Sequence, residues 1–207
     1  MEKSTLKRLT LNELAEIMPI VSASEQEDSV GGAHVYGSDG TYLSNTYNTS
    51  DPTSIYFMRP DNTYNYGGIP VYVYSSATPM SLNQATSSER FNVVDTMAQS
   101  IGINNLQFLN VPNGIYGSCS PSGVISFNVA SGYFSTGPVN YNNIMLTLIH
   151  ERHHALTLSD HGTNQDEIEA INAMMASPYW NDASWDNKAR IEYNLNQHKL
   201  QQQMGYY

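Results

Sequence analysis

His150, Glu151 and His154 stand in the order HExxH, inside a run of residues 144–158 rich in Ile, Leu, Met and Ala. On a helix, residues four apart share a face. His150 and His154 can therefore aim two imidazole nitrogens at one metal ion, and Zn2+ suits that donor set. Glu151 lies beside them, where its carboxylate can take a proton from a water activated by the ion. With only 6 His among 207 residues, this spacing is not easily accidental. His153 falls at a variable position of the pattern and is expected to face solvent or a nearby polar group.

A catalytic zinc takes three protein ligands and keeps one position for water. The residues that can supply the third are Asp160, His161, Asp166, Glu167 and Glu169. Thr163 with Asp166 makes a capping box, so a helix is expected from Thr163 to about Met175. At 100° per residue, Ile168, Ile171, Met174 and Met175 gather on one side of it. Glu167 falls inside that arc and Glu169 nearly opposite. A carboxylate inside an apolar stripe is costly unless it is paired or bound to metal, which favours Glu167. Asp160, six residues after His154, is the main rival, and Asp166 is another. For stabilising an oxyanion, Tyr193 and His198 on the last predicted helix are candidates.

The elements that must hold these residues are legible in outline. Asn140 or Asn142 can cap the HExxH helix, and Met145, Leu148, Ile149 and Leu156 recur at helical spacing. A helix over 87–101 carries Phe91, Val94, Met97, Ala98 and Ile101 on one face, with Ser87 or Ser88 as its cap. Strands are expected at 54–58, 69–74, 106–109, 115–116 and 124–129, and a last helix at 184–204. Tyr179, Trp180 and Trp185 read as core first and cleft walls second. The expected class is α+β, with a small sheet packed on the HExxH helix and helices after it.

Composition narrows the partners. The formal net charge is −10 with 9 Lys and Arg, which argues against nucleic acid and against anionic membrane surfaces. No apolar run approaches the ~20 residues of a membrane span. The one cysteine, Cys119, precludes a disulfide within the chain. A weakly charged surface rich in Tyr, Asn, Ser and Thr is more usual in exported proteins.

The HExxH helix preceded by strands and followed by helices resembles the zincin fold of metallopeptidases, over residues 69–175. That resemblance implies a twisted sheet over the zinc helix, with an edge strand that pairs with extended substrate. Residues 124–129 are the expected edge. Glu167-Ile168-Glu169-Ala170 is similar to the second motif of gluzincin metallopeptidases. It implies Glu167 as the third zinc ligand; where that motif carries an Asp or Asn behind a ligand His this chain has Ile171, and Asp166 or Asn172 is the expected substitute. Together these imply a secreted zinc metallopeptidase acting on a peptide or protein substrate, with Glu151 as general base. Two other functions stay open: a non-catalytic zincin-fold effector or binding protein with structural zinc, and a bacteriocin-like toxin.

Residues 1–32 read as a separate piece. Leu9, Leu11, Leu14, Ile17 and Met18 suggest a short amphipathic helix, and an acidic run then leads to Gly31-Gly32. Ser22, Glu25, Gly31 and Gly32 fall at the spacing of a double-glycine leader, the kind cut by a peptidase-containing ABC transporter of bacteria. Gln26 and Ser29 depart from its apolar positions. The resemblance implies a leader over 1–32 and a metallopeptidase domain over 33–207. A cut after Gly32 needs an extended, unhindered backbone, so the exported form is expected to begin at Ala33. N-terminal sequencing of that form checks this, and an exported chain still carrying residues 1–32 contradicts it.

Overall fold

The computed structural model describes residues 33–47, 53–66, 69–74, 78–111, 115–134, 138–158 and 162–205. The leader over 1–32, with its expected helix, lies outside these residues, as do Asp160 and His161. The described chain is α+β, as the sequence suggests. Strands β1 (Ala33–Gly37), β2 (Tyr42–Tyr47), β3 (Ile55–Met58) and β6 (Met80–Ser81) form a sheet in the order β2-β1-β3-β6. β1 and β3 run parallel, and the other two pairings are antiparallel. Strands β4 (Asn62–Tyr66) and β5 (Ile69–Val73) make a separate antiparallel pair that leaves Tyr64, Ile69 and Val71 exposed. A third sheet holds β7 (Gln107–Leu109), β9 (Ile125–Asn128) and β8 (Gly117–Cys119), in the order β7-β9-β8.

Among the described residues, four α-helices follow or flank these sheets: α1 (Ser87–Ser100), α2 (Tyr141–Leu156), α3 (Asn164–Ala176) and α4 (Trp185–Gln203). α1 is capped by Thr86, one residue before the serines expected to cap it. Thr86 accepts from the Glu89 backbone N–H, and Glu89 accepts from the Thr86 backbone N–H in return. Glu89 also takes a two-pronged bond from Arg59 at 2.7 and 3.0 Å. The Arg59 contact, above all, brings the Glu89 carboxyl down to about 2.

α2 carries the HExxH residues and lies between two apolar cores. Ile144, Met145 and Leu148 join the core shared with the sheets and α1, while Leu146 joins that of α3 and α4. A helix that is apolar on opposite sides is buried between layers, and residues 141–148 are all buried. Both ends of its first turn are tied down. Asn140 accepts from Asn143 N–H at 3.0 Å, and its amide donates to Thr53 Oγ1 at 2.8 Å. Asn143 bonds Ser184 twice, at 2.8 and 3.0 Å, and Ser184 is the cap of α4. The start of α4 is thereby fixed to the start of α2. Trp185, read from sequence as core, is 79% exposed, because the first turn of α4 buries Asn187 instead.

The edge-strand expectation is corrected. Residues 124–129 contain β9, which is the middle strand, and the edge that packs on α2 is β8. Ile125, Phe127 and Asn128 are buried, so this run reads as strongly strand-like for the reason that it is central. Asn128 ties the backbone at Val111 and Ile115 together, its amide donating to both carbonyls at 2.9 Å each.

One buried group gives the core a pH dependence. His34 stacks face to face on Tyr141, with ring centroids 3.7 Å apart, and its Nδ1 is buried without a hydrogen-bond partner. Burial lowers its pKa to about 4. The folded pKa lies below the unfolded value near 6.5, so between these values the unfolded chain binds more protons. The contribution is fully present above pH 6.5 and is lost as pH falls towards 4, by about 3 kcal/mol at most. Chemical denaturation at pH 4.5 and 7 is expected to show His34→Phe losing less stability on acidification than the parent chain. An equal loss in both would remove His34 as the cause.

Candidate metal centre and its cleft

The last two turns of α2 and the first turn of α3 bring three ligand groups together. His150 Nε2 and His154 Nε2 are 3.0 Å apart. Glu167 Oε2 is 3.4 Å from His150 Nε2, and its Oε1 is 3.6 Å from His154 Nε2. Ligand atoms held about 2.0–2.1 Å from one tetrahedral zinc are about 3.3 Å from one another. The three separations bracket that value, so His150, His154 and Glu167 can hold a metal ion. The arrangement follows from the helical phase of both elements. His150 and His154 are one turn apart on α2, and Glu167 lies at the rim of the α3 stripe formed by Ile168, Ile171 and Met174.

Behind the ligands stands Asp166. It is 1% exposed, and its Oδ2 lies 2.6 Å from His154 Nδ1. A buried carboxylate acceptor there assigns the proton to Nδ1 and leaves the Nε2 lone pair for a metal. Thr157 Oγ1 donates to Asp166 Oδ1 at 2.7 Å, and Gly162 N–H donates to Oδ2 at 3.3 Å. Burial alone would raise the Asp166 carboxyl, but the bonds from Thr157 and His154 outweigh it and hold it below its usual range. Burial, and then the neighbouring His150, lowers the pKa of His154, which favours the neutral ring that ligates metals. The contact with His150 brings the Glu167 carboxyl down despite its partial burial.

Asp166, a rival ligand by sequence, is thus the group that orients His154, and the expected capping box is half made. Thr163 accepts from Asp166 N–H at 3.1 Å, while the Asp166 carboxylate turns to His154 and Thr157. Asn172, the other candidate for that role, is exposed. Glu169 is also exposed, its Oε2 3.9 Å from His153 Nε2, and it stands outside the cluster. Of the oxyanion candidates, Tyr193 is 63% exposed, and His198 Nδ1 pairs with Asn164 Oδ1 at 3.0 Å.

Glu151 is buried at 7% exposure and lines a cleft of about 410 Å3 with His150. β8 forms one wall of the cleft, through Gly117 and the preceding Ile115 and Tyr116. Ile171 and Met174 of α3, with Arg190, Ile191 and Asn194 of α4, form the other. Gly117 is required by close approach. A Cβ there would come within 2.9 Å of Glu151 Cγ and 3.0 Å of Thr147 Cγ2. The backbone of the edge strand therefore rests directly on the Glu151 side chain. Sequence reasoning missed Gly117, Thr157, Arg190 and Asn194. For α4 a signal existed: Ile191 and Leu195, one turn apart and buried, define its inner face, and Tyr193 falls about 200° from Ile191.

Comparison with protein-family models, with curated proteins and with solved structures returned no match to this chain.

The geometry separates the carboxylates by role. Glu167→Ala is expected to lose bound metal, and Glu169→Ala to keep it. Asp166→Ala should weaken affinity roughly 10–100-fold without abolishing binding, because it removes an orienting bond and no ligand. Metal stoichiometry and chelator competition on the purified variants check all three. Loss of metal in Glu169→Ala with retention in Glu167→Ala would overturn the assignment.

Proposed function

We propose that this chain is a secreted zinc-dependent metallopeptidase of zincin type, its zinc held by His150, His154 and Glu167. The observation that carries the reading is the near-tetrahedral spacing of those ligand atoms, beside Glu151, in a cleft roofed by a sheet edge. Two neutral imidazoles and one carboxylate are a donor set that zinc takes in hydrolases, and three protein ligands leave a position open. When bound, the ion supplies Lewis acidity to a water and to a substrate carbonyl.

The chain's own residues do the rest. β8 is paired on one side by β9, and its other backbone edge can pair with an extended peptide. Glu151 accepts the proton of the attacking water and later delivers it to the leaving amine. Its burial, and the β8 backbone laid against it, restrict its rotamers and exclude bulk water from that face. Asp166 and Thr157 keep His154 in the tautomer and orientation that ligation needs. Export rests on residues 1–32 alone, through their resemblance to a double-glycine leader and its transporter.

Glu151→Gln removes the base and spares the ligands. It is expected to lower peptide hydrolysis at least ~100-fold while keeping the metal. A fluorogenic peptide assay run beside metal analysis reads both quantities. Near-normal turnover in Glu151→Gln would sink the mechanism.

A further inference from the structure

Arg190 is a cation in the cleft wall, and among the described residues no carboxylate forms an ion pair with it. The chain carries only 9 Lys and Arg against 19 Asp and Glu, so acidic partners abound. Arg59 has such a partner in Glu89. Arg190 does not: its Nη2 donates to Asn187 Oδ1 at 2.6 Å and to Tyr133 OH at 3.3 Å, and its guanidinium lies over the Tyr116 ring at 4.6 Å. All three partners are neutral. They fix the plane of the group, and both hydrogen bonds leave from Nη2. Among the described residues, no acceptor engages Nε or Nη1. On its own wall Arg190 stands with the apolar Ile171, Met174 and Ile191 and with Asn194, and the cleft also holds Glu151 and His150.

A held guanidinium with spare donors on an apolar wall gains most from an anion that can take two parallel N–H bonds. A neutral amide in the same place gains less, because it brings no charge into a region of low dielectric. We propose that Arg190 is the specificity determinant of this cleft and selects a carboxylate on the substrate. That carboxylate is carried as an acidic side chain beside the scissile bond or as the free C-terminus of a short peptide. The substrate part of this proposal rests on the peptidase reading, and the carboxylate site itself does not.

Two measurements separate these claims. First, the full chain, as purified and again after chelator treatment, is titrated calorimetrically with 3-phenylpropanoate and with 3-phenylpropanamide. The acid is expected to bind at least ~10-fold tighter in both preparations. Arg190→Gln should abolish that preference, and Arg190→Lys should keep part of it. Equal binding of acid and amide, no binding of the acid, or a preference lost on metal removal each overturns the proposal. So does a preference that persists in Arg190→Gln. The comparison on the parent chain needs no variant to fold.

Second, the metal-loaded chain is assayed on peptide pairs that differ as Glu or Gln at either position flanking the scissile bond. A further pair differs as free acid or amide at the C-terminus. A kcat/KM ratio of at least ~10, carried in KM, is expected for one of these sources and identifies it. Equal rates within every pair overturn the specificity and leave the peptidase reading standing. Hydrolysis of no peptide, with the binding preference intact, overturns the peptidase reading and the substrate part with it, and leaves the carboxylate site standing. A uniform fall in kcat on all substrates in Arg190→Gln would place Arg190 in transition-state stabilisation and overturn its role in selection.

Discussion

A helix with large apolar side chains on opposite faces is stable only between two layers, and α2 is such a helix. Ile144, Met145 and Leu148 are pulled into the sheet-side core while Leu146 is pulled into the helix-side core. Neither its rotation nor its axial position can change without exposing one set. The polar ties at its N-terminus, Asn140 to Thr53 and Asn143 to Ser184, fix it along the axis as well. The imidazoles of His150 and His154 inherit that rigidity. They emerge where α2 leaves the double core, which is also where α3 folds back against it.

The return of α3 brings two adjacent carboxylates with different tasks. Asp166 is buried and its oxygens are taken up by His154, Thr157 and Gly162. Glu167, one residue on and about 100° round the helix, stays partly exposed and reaches both Nε2 atoms. Burial sorts the pair. The enclosed carboxylate, with its lone pairs engaged, orients an imidazole, and the one at the rim can meet an ion from the cleft side. Thr157 ends α2 and also braces Asp166, so the helix terminus and the site share one side chain.

The parts legible in the sequence are those governed by a single period. Helices α2, α3 and α4 and the caps Asn140 and Thr163 follow from local spacing and short-range chemistry. The meeting of His150, His154 and Glu167 follows from two helical phases. What sequence could not reveal depends on which surfaces meet. β8 is Gly-Ser-Cys, a poor strand by propensity, and it is an edge because its small Gly117 lets backbone lie on Glu151. The more strand-like 124–129 run is apolar because it is central. Tyr193 offers a suitable hydroxyl for an oxyanion but faces away from Ile191, whereas Arg190, next to Ile191, lines the cleft. Glu167 was marked by its place in an apolar arc, but the arc could not show that Asp166 is the more deeply buried of the two.

On the proposed reading, His150, His154 and Glu167 hold one zinc ion that keeps a position open to the cleft. X-ray absorption at the zinc edge on the purified full chain tests it most directly. The expected result is one zinc per chain, bound by two imidazole nitrogens and one carboxylate at about 2.0–2.2 Å, with a further light oxygen ligand from solvent. A chain that retains no zinc, or a zinc closed by four protein ligands, would contradict it.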